Sequence, residues 1–276
     1  MTRALPEDLQ IVREMSLSAG TLLLESMGKV GRVRQKTGTE LLTDLDKRVE
    51  DHLIETLSRV FPGDKVVAEE SGITEGTGGR TWYIDPLDGT TNYAHGHPFF
   101  SVSIACADDE GLLLGAVFAP YLDELYLARR GNGASLERPR HATGRDLTAP
   151  AVVGVEQALL ATGFPYQRDE KVDRNTTHVA NFLKAGCHGV RRGGSAAIDL
   201  AHVAAGTVDG YWEMSLRPWD SAAGTLIARE AGALVTDFAG VADRLHYETV
   251  LAAAPGLHTE MVAMLARPFV RPGGEA

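Results

Sequence analysis

Cysteine is nearly absent: only Cys106 and Cys187 occur among 276 residues. Neither has CxxC spacing, and although His188 follows Cys187 no set of ligands at metal-binding spacing surrounds either thiol, which argues against a disulfide framework and a thiolate metal centre. Both read as structural thiols, Cys106 inside the apolar run 102–107. Long hydrophobic runs are missing as well, since no window approaches the about 18 apolar residues of a membrane span. The opening MTRALPEDLQ lacks the basic-then-apolar order of a secretory signal. A cytoplasmic protein without membrane contact is the expectation. A basic surplus is the third absence: 27 Lys and Arg face 37 Asp and Glu, for a net charge of −10. Such a balance argues against gripping nucleic-acid phosphates and suits a binder of cations.

What is present is an ordinary globular composition, 44% hydrophobic and 23% charged, with no internal repeat or low-complexity linker. Apolar residues recur at helical spacing from Pro6 to Met27, with Gly28 as the stop. Val30–Gln35 predicts a short strand. Thr43 predicts the cap of a second helix with the stripe Val49, Leu53, Ile54, Leu57 and Val60. Residues 66–68, 82–84, 99–106, 112–118 and 124–128 predict a meandering sheet. After about Pro150 strands and helices alternate: strands at 151–155, 189–191, 208–212 and 233–236, helices at 195–205 and 219–231. One unit over 1–276 is expected, with approximate halves 1–149 and 150–270. Gly76–Gly79 predicts a mobile loop and 271–276 a disordered tail.

The chemistry concentrates where apolar strands run into acids. Trp82-Tyr-Ile ends in Asp85, Pro86 stops strand pairing, and Asp88 follows at a turn into Gly89-Thr90. Carboxylates this close oppose joint ionisation unless a cation compensates them, and magnesium, which prefers hard oxygen donors, is the natural ion. As turn and cap residues, Asp85 and Asp88 would also be unremarkable in type. The metal reading gains because Glu69-Glu70 ends another short strand and Asp220 opens an apolar helix.

These residues resemble the inositol monophosphatase family, in its bacterial-type branch. The resemblance lies in Trp82-Tyr-Ile-Asp-Pro-Leu-Asp-Gly-Thr-Thr-Asn92 and Trp219-Asp-Ser-Ala-Ala-Gly224. It is reinforced by Leu42-Thr43-Asp44-Leu45-Asp46, Ala68-Glu69-Glu70-Ser71, Gly194-Ser195-Ala196-Ala197 and Tyr211-Trp-Glu213-Met214. The resemblance implies an α/β fold, an α+β layered αβαβα sandwich with a mixed first sheet and a smaller second one. It implies that Glu69, Asp85 and the Leu87 carbonyl hold one Mg2+, that Asp85, Asp88 and Asp220 hold a second, and that a weaker third uses Glu69 and waters. Asp46 and Thr90 are implied to orient the attacking water, although Thr90 also fits a helix cap. Lithium sensitivity and a homodimer are further family expectations.

For the substrate, the resemblance implies phosphate contacts at Asp88, Gly89 and Thr90, backbone contacts at Gly194 and Ala196, and a polyol contact at Glu213. A solvated strand-end acid is the plainer alternative for Glu213. Lys36 falls in a loop that helps the weak metal in the family, a stretch that also fits a hairpin tip, and Glu70 is a further site residue beside Glu69. Arg191 and Arg192 read as solvated. The expected reaction is Mg2+-dependent hydrolysis of a small sugar or polyol phosphate, inositol 1-phosphate first, by water and without a covalent intermediate. The alternatives are a phosphatase for fructose 1,6-bisphosphate, histidinol phosphate or a 3′-phosphoadenosine nucleotide, and a regulatory protein binding transcription machinery.

Overall fold

The computed structural model describes residues 5–28, 33–35, 41–166, 169–242 and 248–267. The first part of the chain forms α1 (Glu7–Ser26), β1 (Val33–Gln35), β2 (Leu41–Thr43), α2 (Asp44–Val60), β3 (Lys65–Ala68), β4 (Gly72–Thr74), β5 (Thr81–Asp88) and α3 (Thr90–Ala94). A run of strands follows: β6 (Ser101–Asp108), β7 (Gly111–Ala119), β8 (Glu124–Arg129), β9 (Ala134–Arg138) and β10 (Thr143–Asp146). The remainder is β11 (Leu159–Thr162), α4 (Glu170–Lys184), β12 (Gly189–Arg191), α5 (Ala196–Ala205), β13 (Gly210–Met214), α6 (Pro218–Glu230), β14 (Leu234–Thr236), β15 (Thr249–Ala253) and α7 (Pro255–Leu265).

The eight-stranded sheet runs β10-β9-β8-β7-β6-β5-β3-β4. It is an antiparallel meander except where β3 lies parallel to β5. The five-stranded sheet runs β12-β11-β13-β15-β14, and β11 is parallel to both its neighbours. The apolar stripes of α1 and α2 supply Leu23, Leu53 and Leu57 to a core shared with Trp82, Ile84 and Ile104 of the large sheet. The opposite face, with Tyr83 and Val117, packs on α5 and α6 through Ala197, Leu200, Ala223 and Ile227, which also meet Tyr211 and Val250 of the small sheet. On the far side Phe182 of α4 and Leu257 and Met261 of α7 pack on Trp212 and Leu251. Five layers result, αβαβα, as the resemblance implied.

Several expectations need correction. Residues 151–155 form no strand: Val153 is 71% exposed, and a 3-10 turn at Val155–Gln157 precedes the strand that does form, β11. Among the described residues the run has no partner strand: Val155 is buried in the core with Val152 packed beside it, and the Val155 N–H donates to Glu260 instead of a ladder. Val60 lies at the exposed end of α2, while the buried face adds the polar Asp46 and Glu50. Thr43, by contrast, ends β2 and stands immediately before Asp44, the position a cap of α2 occupies. α4 escaped the sequence pattern because EKVDRNTTHVANFLK presents little apolar surface; β9, β10, β15 and α7 were likewise not anticipated. Lys36, the first part of Val30–Gln35 and the tail 271–276 lie outside the described residues.

The middle helices approach the large sheet over small residues. A Cβ on Gly115 of β7 would stand 2.9 Å from the Ala223 carbonyl oxygen of α6, so the helix must retreat to admit a side chain. Gly115→Val is expected to destabilise the protein by about 1–3 kcal/mol, read by urea unfolding. An unchanged midpoint would show the contact to be looser than described.

Candidate active site

Parallel pairing places the ends of β3 and β5 side by side, with Ala68 opposite Ile84. The Glu69 N–H donates to the Ile84 carbonyl at 3.2 Å, carrying the register one residue further, so Glu69 emerges beside Asp85. β5 extends past the expected stop, but pairing with β6 is interrupted between Asp85 and Asp88. Pro86 has no N–H to give the ladder, and the resulting bulge re-aims the side chains on either side of it. The Asp85 Oδ1 accepts from the Leu87 N–H at 2.9 Å. Gly89 then takes a left-handed φ of 95° as the cap residue of α3, in a space where a Cβ would stand 3.0 Å from the Phe99 carbonyl oxygen. Only glycine enters such a turn without strain.

Asp220 arrives from the middle layer in the first turn of α6, its Oδ2 accepting from the Arg217 N–H at 2.7 Å. Asp88 is held by the start of α5: its Oδ2 accepts from the Ser195 hydroxyl at 2.6 Å and the Ala197 N–H at 2.8 Å. A carboxylate at a helix N-terminus meets unpaired N–H groups and the positive end of the dipole. Asp85 is buried, whereas Glu69, Asp88 and Asp220 keep part of their surface open.

Electrostatics ties the four acids together. Burial, then the charges of Glu69, Asp88 and Asp220, push the Asp85 carboxyl well above the ordinary aspartate range. Burial, then Asp88, does the same to Asp220. Asp88 is pushed up to about 6, chiefly by burial, with Ser195 and the α5 N–H groups pulling the other way. Crowded hard oxygens carrying uncompensated charge fit a divalent cation such as magnesium. Among the described residues no three acidic, histidine or cysteine side chains converge as a finished ligand shell. Asp85, Asp88 and Asp220 each turn an oxygen toward an N–H donor instead.

Two further sequence-expected residues join the acids. The Thr90 hydroxyl lies 3.0 Å from the Leu87 carbonyl oxygen and 3.3 Å from Asp46 Oδ1, both oxygens able to accept its one proton. Thr90 is thus the first residue of α3 and not its cap. Asp46 is buried in the first turn of α2. Ala196 is the first residue of α5, and Gly194, with φ of 94°, places its carbonyl against Gly89.

Glu213 stands on β13, where its carboxylate accepts from the Tyr211 hydroxyl. Burial, opposed by that bond, raises it to about 7. Its carboxyl group fills the space a Gly163 side chain would need, 2.0 Å from an ideal Cβ. Asp209 braces β11 by accepting from the Leu159 N–H at 2.8 Å. Sequence reasoning passed over three neighbours. Ser195 grips Asp88; it was visible in the quoted Gly-Ser-Ala-Ala string. Asp199 is buried beside Glu213 and Asp88, with burial first and those charges next raising it. The half-exposed Tyr166 phenol is raised by burial and then by Asp88, Glu69, Asp85 and Asp220, so it too lies near the acids.

The sign of the pH effect follows from these shifts. Asp88 and Glu213 have ordinary values of 3.8 and 4.5 and folded values of about 6 and about 7. In that window these two groups hold protons in the folded chain that they release in the unfolded one, so their contribution to stability falls as pH rises from about 4 to about 7, while the buried His178, lowered from 6.5 to about 4, contributes in the opposite sense. Urea unfolding in a chelator, compared between the unmodified chain and Glu213→Gln, isolates the Glu213 part: the variant should gain stability relative to the unmodified chain as pH rises from about 5 to about 7. A stability difference that does not change with pH would contradict the assignment.

The chain is similar to known proteins over nearly its whole length. The model of the inositol monophosphatase family matches residues 5–270. The Inositol-1-monophosphatase of Synechocystis is 38% identical over 267 residues, 95% of this chain and 91% of that protein. The Nus factor SuhB of Vibrio cholerae is 38% identical over 256 residues, 90% of this chain and 91% of that protein. The crystal structure of extragenic suppressor protein suhB from Bartonella henselae matches with a TM-score of 0.86 at 33% identity, over 94% of this chain and 98% of that one. No helix among the described residues is long and apolar enough to cross a membrane.

Proposed function

The chain belongs to the inositol monophosphatase family, and from that premise we propose that it hydrolyses a small phosphate monoester, inositol 1-phosphate first, with magnesium and without a covalent intermediate. The observation that carries the proposal is the group of mutually repelling carboxylates around Asp85, whose charge calls for a cation. Glu69, Asp85 and the Leu87 carbonyl would hold one Mg2+, and Asp85, Asp88 and Asp220 a second. A weaker third at Glu69, with the adjacent Glu70 and with Lys36 as the further residues the resemblance implies, completes the assignment. Bound there, the ions supply neutralisation of the phosphate dianion, Lewis-acid activation of water and stabilisation of the leaving oxygen.

The protein's own part is orientation. Thr90 Oγ1, placed between the Leu87 carbonyl and Asp46, would donate or accept a hydrogen bond with the attacking water, and the Asp46 carboxylate would take up its proton. The turn at Gly89 and Thr90 brings backbone N–H groups toward the phosphate beside Asp88. Gly194, Ala196 and Glu213 would line the polyol side, where Glu213 accepts hydroxyl protons. Asp88, Asp199 and Glu213 make that side acidic, which favours a neutral polyol over a second phosphate. Lithium inhibition and a homodimer belong to the same proposal by family resemblance.

A second reading, a transcription-related role, is favoured by the name of the Vibrio cholerae relative. Co-purification of RNA polymerase with a catalytically dead variant tests it. For the first reading, phosphate release is measured from inositol 1-phosphate, fructose 1,6-bisphosphate, histidinol phosphate and a 3′-phosphoadenosine nucleotide, each with magnesium and with a chelator. Chelator-sensitive release, fastest from inositol 1-phosphate, is expected; no release from any of them would sink the proposal. Thr90→Ala should lose about 100-fold or more in turnover with magnesium affinity nearly kept, and unchanged turnover would refute the role given to Thr90.

A further inference from the structure

α2 carries two buried carboxylates one turn apart, Asp46 at 1% and Glu50 at 0% exposure. Asp46 is accounted for by Thr90. Glu50 is not part of the carboxylate group, and a fully buried acid beside Val49, Leu53 and Leu57 costs stability unless donors satisfy it. Its hydrogen bonds come from the turn after β3, and Lys47 of its own helix adds an ion pair, Nζ 3.9 Å from Oε1. Oε2 accepts from the Glu70 N–H at 2.7 Å and Oε1 from the Ser71 hydroxyl at 2.5 Å. Ser71 Oγ in turn accepts from Lys47 Nζ at 3.0 Å, giving a relay from Lys47 through Ser71 to Glu50.

These bonds bear on Glu69. Its own N–H is fixed to Ile84 of β5 and the next N–H, that of Glu70, is fixed to Glu50 of α2. The backbone of Glu69 is therefore pinned from both sides, by the strand that bears Asp85 and by the helix that bears Asp46. We propose that Glu50 is a positioning residue: it locks the Glu69–Ser71 turn onto α2 so that the Glu69 carboxylate is held at the proposed divalent-cation site in register with Asp46. The inference rests on the magnesium reading of that site. Residues that orient ligands from behind typically govern about 10–100-fold of metal affinity or activity.

The test is calorimetric titration of the full chain with magnesium, unmodified and as Glu50→Ala, Glu50→Gln and Ser71→Ala, with amide exchange at Glu70 followed in parallel. Glu50→Ala is expected to weaken magnesium binding about tenfold or more and to speed exchange at Glu70, with turnover recovering at high magnesium. Glu50→Gln, whose amide oxygen still accepts the Glu70 N–H, should stay within about threefold of the unmodified protein. A folded Glu50→Ala that binds magnesium as tightly as the unmodified chain would overturn the proposal. Should Glu50→Ala fail to fold, Ser71→Ala at the exposed end of the relay decides, weaker binding supporting the proposal and equal binding overturning it. An unmodified chain that binds no magnesium would overturn the site reading itself, and this inference with it.

Discussion

Like charges repel more strongly as water is withdrawn from between them, and in this protein Glu69, Asp85, Asp88 and Asp220 act on one another where water is partly excluded. No single element holds them. Glu69 and Asp85 come from parallel strands, Asp88 from beyond a bulge, and Asp220 from a helix on the other side of the sheet. The repulsion is tolerated because each part is anchored: Glu69 by strand pairing at Ile84, and the carboxylates of Asp85, Asp88 and Asp220 by N–H groups that favour their charged form.

That anchoring explains features of the wider fold. β3 pairs with β5 in parallel inside an otherwise antiparallel sheet, which brings two strand ends to the same edge. The middle helix layer is rich in alanine, with Gly224 in α6, so α5 and α6 pack closely, α5 presenting its first turn to Asp88 and α6 carrying Asp220 in its own. Buried polar groups line the same region, and their hydrogen bonds fix side-chain directions that apolar packing alone would leave open.

Much of this was legible in the sequence. Asp85, Asp88, Thr90 and Asp220 stand in strings long enough to identify the family, and the family carries the five-layer fold with it. Harder to read were elements whose buried face is itself polar, such as α4 with Asn175 and His178, or apolar stretches such as 151–155 that find no partner strand. Glu50 and Asp199 were invisible for a different reason. A lone acid in a helical pattern reads as a solvated face, and only the neighbours across the fold, Ser71 and Glu70 or Glu213 and Asp88, reveal it as buried. Tyr166 likewise depends on a loop path that no local pattern specifies.

The central claim is that the acids around Asp85 are destabilising until a divalent cation joins them. The most direct measurement is the unfolding midpoint of the unmodified protein and of Asp85→Asn, each with magnesium and with a chelator. The account predicts that magnesium raises the midpoint of the unmodified protein and not of Asp85→Asn, and that in chelator Asp85→Asn is at least as stable as the unmodified chain. A variant that is less stable in chelator, or equally stabilised by magnesium, would contradict it.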